Sequence, residues 1–96
     1  MIRHVVVFKL KPGVSPARRD EWLEMSRQVH AEIDIVRAYN IGVDLLRLPS
    51  SYDVAVVADF DSLEDVRAYA DHPLHLSAVE LSRELSERIV SVDFEV

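Results

Sequence analysis

The stretch Tyr52-Asp53-Val54-Ala55-Val56-Val57-Ala58-Asp59-Phe60 decides the fold. Tyr52, Val54, Val56, Ala58 and Phe60 alternate with Ala55 and Val57, so both sides of an extended segment are apolar, the pattern of a central strand. Ile2 to Leu10 has the same double character. His4, Val6, Phe8 and Leu10 share one side and Arg3, Val5, Val7 and Lys9 the other. Val36 to Asp44 reads as a strand in which Arg37, Tyr39, Ile41 and Val43 alternate with Val36, Ala38 and Asn40. Ile89 to Val96 is the last strand, and Leu45 to Ser51 is the one irregular connection.

Helices fill the intervals. Lys11-Pro12-Gly13-Val14 is turn chemistry, and Ser15-Pro16 supplies a cap followed by proline in the first helical position. Trp22, Met25, Val29 and Ile33 then recur at helical steps, predicting one buried stripe, with His30 among polar neighbours and expected to be exposed. Ser62-Leu63-Glu64-Asp65 resembles a capping box and opens a helix that ends near His72. Leu76, Val79, Leu81 and Leu85 mark another helix after Pro73.

The order β-α-β-β-α-α-β predicts an α+β, ferredoxin-like subunit: a four-stranded antiparallel sheet with its helices on one face. The other face still carries large apolar residues, expected to be Val6, Phe8, Val54 or Val56, and an isolated soluble surface does not carry so many. A second copy related by a two-fold axis covers such a face most simply, closing the two sheets into an α/β barrel. The expectation is therefore a homodimer that associates through the sheet face.

Ninety-six residues make one domain, 1–96, with 49% apolar and 29% charged residues, ordinary globular composition. No cysteine is present, which removes disulfides, thiolate nucleophiles and iron–sulfur clusters. A net charge of −6 opposes the cationic surface that nucleic acid requires, and no apolar run suits a membrane span. Nothing resembles an export signal, so a cytoplasmic location is expected.

Chemistry concentrates in Tyr69-Ala70-Asp71-His72-Pro73-Leu74-His75, a phenol and two imidazoles at a helix–proline–helix corner. A structural role competes with a functional one: Tyr69 at the core edge, His72 capping the C-terminal end of one helix and His75 opening the next. His72 and His75 are three residues apart, but Pro73 interrupts the helix and no further ligands are evident, so no metal site is expected.

With His4 before Val5-Val6-Val7-Phe8, Lys11-Pro12-Gly13-Val14, Gly42-Val43-Asp44, Tyr52-Asp53-Val54-Ala55, Phe60-Asp61-Ser62, the Tyr69–His75 stretch and Val92-Asp93-Phe94, the chain resembles the Dabb family of stress-responsive dimeric α/β-barrel domains. The resemblance implies a homodimeric barrel and a cavity between sheet and helices within each subunit. In a plant polyketide cyclase of that family, the residues matching Tyr69 and His75 are the catalytic pair, and further histidines match His4 and His72, which are carried over as substrate-binding residues. The cyclase has a histidine on its third strand where this chain has Val54.

Aldol cyclisation needs a base of near-neutral pKa and a hydrogen-bond donor for a carbonyl or enolate. His75, with an unperturbed pKa of about 6.5, suits the base and Tyr69, at about 10, the donor, without metal or organic cofactor. The expected function is binding of a hydrophobic or aromatic small molecule with cyclase-like proton transfer. The alternatives are a non-catalytic, stress-associated oligomeric protein, and an oxygen-dependent enzyme of the wider dimeric-barrel group, either a cofactor-free quinol oxygenase or a haem-degrading enzyme in which His30 or His72 ligates haem iron.

Overall fold

The computed structural model describes all 96 residues and contains β1 (Ile2–Leu10), α1 (Pro16–Ala31), β2 (Ala38–Val43), β3 (Val54–Phe60), α2 (Leu63–Ala70), α3 (Pro73–Leu85) and β4 (Ser86–Glu95). The strands pair antiparallel in the order β2-β3-β1-β4. The two strands richest in apolar residues on both sides, β1 and β3, are the inner pair, as a twice-covered position demands. The last strand starts three residues earlier than its alternation suggests, because Ser86 continues directly from α3 and pairs with Leu10 past a register shift at Lys9/Leu10. No helix is long and apolar enough to cross a membrane.

Each helix begins on a side-chain cap. The Ser15 hydroxyl accepts the Arg18 amide at 3.1 Å and the Ser62 hydroxyl accepts the Asp65 amide at 3.2 Å. Between α2 and α3, Asp71 closes the first helix and His72 caps the start of the second, its Nδ1 accepting the Leu74 amide at 3.2 Å. His72 thus belongs to the N-terminus of α3, not to the C-terminus of α2. Pro73 lacks the amide that position would otherwise leave unpaired, so the corner turns sharply at little cost.

The helices cover the sheet face that carries Val6, Phe8, Val54, Val56, Ala58 and Phe60, all buried in one core with Trp22, Leu23, Ile33 and Leu85. Phe8 meets Trp22 edge to face, with ring centroids 5.0 Å apart. This reverses the expectation that Val6, Phe8, Val54 or Val56 would form the uncovered face. Cross-strand register assigns that face to the other parity: Val5 beside Val57 and Val92, Val7 beside Ala55 and Val90, and Arg3 beside Asp59 and Phe94. Val92 and Phe94 remain 63% and 45% exposed, and the Arg3 guanidinium forks onto Asp59 at 2.9 and 3.2 Å at one end of the patch. An uncovered apolar face therefore exists, built from different residues.

Asp53 ties the loop before β3 to the end of β1. Its carboxylate accepts the Leu10 amide at 2.7 Å and the Arg47 guanidinium at 2.6 Å. Burial pushes this carboxyl up, but the Leu10 amide and Arg47 outweigh it and hold the group below the usual carboxylate range. Asp53→Asn is expected to lose about 1–2 kcal/mol at neutral pH. Because the folded pKa is the lower one, this contribution is complete above the unfolded value of about 3.9 and disappears as pH falls through the folded value. Urea midpoints of the two proteins should differ at neutral pH and converge in strong acid; a gap that persists unchanged in acid would show that the charge is not responsible.

Candidate functional site

Between the helices and the inner sheet face lies a cavity of about 370 Å³, lined mainly by apolar residues that include Val6, Phe8, Trp22, Ile41 and Val56. The size suits a small organic molecule. Its polar wall is assembled from three regions distant in sequence.

The first is the α2/α3 corner. Tyr69 ends the buried stripe of α2 and is 3% exposed, while His75 sits in the first turn of α3, its ring centroid 3.9 Å from that of Tyr69. The His72 cap fixes the entry of α3 and so the direction of His75. His75 Nδ1 lies 3.4 Å from the Ala70 carbonyl, a long hydrogen bond in which the ring nitrogen donates because a carbonyl only accepts.

The second is the β1/β4 pair. His4 and Asp93 are cross-strand partners on the inner face, and His4 Nδ1 donates to Asp93 Oδ1 at 2.5 Å. The His4 ring stands edge-on to Tyr69 with centroids 5.8 Å apart. The third is the last turn of α1. His30 is 5% exposed, with Nδ1 2.6 Å from the Ser26 carbonyl, Nε2 2.8 Å from the Tyr69 hydroxyl, and its ring stacked on Tyr39 at 4.0 Å.

Of the residues singled out from the sequence, Tyr69, His75 and His4 line this one cavity. His72 does not line it and is occupied with capping. His30, expected to be exposed, is among the most buried polar side chains in the protein. It follows Trp22 and Ser26 at steps of four on the buried face, a signal masked by the charged residues between them. Both its ring nitrogens are engaged, so iron ligation through Nε2 would have to displace the Tyr69 hydroxyl. Asp93 and Tyr39 carried no readable sign of the site. Val54, standing where the resemblance leads one to look for a histidine, is buried outside the cavity wall.

The electrostatics follow from burial. Burial pushes His75 down to about 4; the Ala70 carbonyl opposes the shift, and His30, His4 and His72 add to it. His75 is therefore neutral throughout the physiological range and not poised near 6.5 as its residue type suggests. Burial lowers His30 also, against the pull of the Ser26 carbonyl. Tyr69 is held above the usual phenol value by burial and then by Tyr39, so it keeps its proton. His75, His30 and Tyr69 are thus neutral, directional hydrogen-bonding groups in a largely apolar pocket.

Comparison with known proteins places this geometry in context. An uncharacterized protein of Streptomyces coelicolor is 32% identical over 100 residues, 99% of each chain. A dimeric ferredoxin-like protein of unknown function from Thermobifida fusca is 33% identical, with a TM-score of 0.91 over 99% of this chain and 90% of that one. Olivetolic acid cyclase of Cannabis sativa is 22% identical over 97% of this chain and 94% of its own. The profile of the stress responsive A/B barrel domain matches residues 2–96, and the chain accordingly belongs to the Dabb family.

Proposed function

We propose that this protein is a homodimer that binds an apolar or aromatic small molecule in each subunit's cavity and performs cofactor-independent proton transfer on it, in the manner of a polyketide cyclase. The observation that carries the reading is the convergence of Tyr69, His75, His30 and His4, the last held by Asp93 behind it, on one largely apolar cavity of about 370 Å³. A core that needed only packing has no use for four polar side chains converging on one pocket.

In this reading His75 Nε2, a weaker base than its residue type suggests but neutral and available, takes the acidic methylene proton of a β-ketone chain, and the Tyr69 oxygen accepts a hydrogen bond from an enol hydroxyl beside it. His4, oriented by Asp93, holds the far end of the chain. The apolar wall excludes water, which strengthens each of these contacts. That the Thermobifida fusca relative is dimeric supports self-association, and the uncovered Val5, Val7, Val57, Val90 and Val92 face supplies the surface for it.

The test is cyclisation of a panel of linear tri- and tetraketide N-acetylcysteamine thioesters, followed by mass spectrometry. At least one should cyclise faster than in buffer, and Tyr69→Phe should lower the rate by about 10²-fold or more. If no member is bound or turned over, the reading fails; if Tyr69→Phe turns over like the parent, the assigned site fails.

A further inference from the structure

The buried chain Ser26–His30–Tyr69 determines which way the Tyr69 proton points. His30 Nδ1 lies 2.6 Å from the Ser26 carbonyl, and a carbonyl only accepts, so Nδ1 carries hydrogen. The ring is buried and neutral, so its single proton is already used and Nε2 presents a bare lone pair. Tyr69 Oη lies 2.8 Å from that lone pair, and the contact is a hydrogen bond only if the hydroxyl donates. The stack on Tyr39 holds the imidazole against flipping.

We infer that His30 is a positioning residue that commits the Tyr69 proton inward, leaving the Tyr69 oxygen as an acceptor, so that the cavity selects ligands donating an O–H, phenols and enols, over ligands that only accept. Residue type alone suggests the opposite, a phenol donating to a substrate carbonyl. A neighbouring group agrees in polarity. His75 spends its Nδ1 proton on the Ala70 carbonyl, so the neutral ring turns a bare Nε2 away from that carbonyl. Tyr69, His75 and His4 line one cavity with ring centroids 3.9 and 5.8 Å apart. Two acceptors at the Tyr69–His75 spacing match an aromatic ring or enolised chain bearing more than one hydroxyl.

The inference rests on the small-molecule reading above, and its test separates the two. Long-range 1H–15N spectra of the wild-type protein at neutral pH report the His30 tautomer without any ligand. Nδ1 should be the protonated nitrogen and Nε2 the bare one; a protonated Nε2 overturns the inference whatever the cavity binds. Calorimetry then compares 4-propylphenol with its methyl ether, which is alike in shape but has no proton to donate. Wild type should favour the phenol by about tenfold or more, His30→Leu should lose that preference because the Tyr69 proton becomes free, and His30→Gln should keep it through the amide oxygen. Equal affinities in wild type overturn the inference. Failure of both probes to bind counts against the small-molecule reading, while the tautomer still decides the direction of Tyr69. Should His30→Leu fail to fold, the spectra and the wild-type pair of affinities decide the matter alone.

Discussion

Val57→Asp is expected to convert the proposed dimer to a folded monomer in sedimentation velocity. Val57 lies on the uncovered face between Val5 and Asn40, and its side chain makes no part of the core under the helices. In an isologous interface each substitution occurs twice, so two carboxylates enter one apolar contact. Desolvating an unpaired ion costs several kcal/mol even after relaxation, and each 1.4 kcal/mol is tenfold in affinity, so the dissociation constant should rise by about 10³-fold or more. The neighbouring substitution gives the contrast. Val56 is 4% exposed under the helices, and Val56→Asp should unfold the subunit outright. One residue thus separates loss of assembly from loss of fold. A Val57→Asp protein that sediments as wild type would remove this face from the interface.

That contrast also marks the limit of what alternation can reveal. The element order was legible because each strand alternates and each helix begins on a serine or a proline in the position where its free amides need one. The assignment of faces was not. Val5-Val6-Val7-Phe8 and Val54-Ala55-Val56-Val57 are apolar in both parities, and only the bulk of Phe8 and Phe60 against the smaller Val5, Val7 and Ala55 distinguishes the side that must fill space beneath helices from the flat outer side. Bulk is a weak signal when both faces are apolar.

The site was legible in part for a related reason. Tyr69 and His75 are close in sequence, and the proline between them advertises a corner. His4 and Asp93 are 89 positions apart and meet only through the β1/β4 register, which a bulge shifts near its far end. His30 was misjudged from its neighbours. Arg27, Gln28 and Glu32 are exposed, but a helix exposes and buries residues two apart, so charged neighbours carry no information about the face His30 occupies. Its burial depends on having partners, the Ser26 carbonyl and the Tyr69 hydroxyl, and those become visible only when α1 and α2 lie over the same sheet.

The second large effect concerns His75 and acid. His75→Ala should lower any proton-transfer turnover by about 10²–10⁴-fold, with substrate affinity changed far less, because the removed ring acts on the reacting proton. In the wild-type protein the limb of any rate profile that reports this ring should lie near pH 4, where burial sets its pKa, and the profile should be level through 6.5, where an exposed histidine would bend it. The same burial acts on stability. The folded ring resists protonation that the unfolded chain accepts, so stability is complete above about pH 6.5 and declines as pH falls toward about 4, by about 1–2 kcal/mol once solvent screening of a half-buried ring is allowed for. His75→Leu has no ring to protonate and should flatten that decline while abolishing turnover. Thermal midpoints and rates collected on the same samples across this range separate the two roles: a wild-type rate that bends at 6.5, or a decline equally steep in His75→Leu, would show that the ring is solvated and that the dry pocket does not control it.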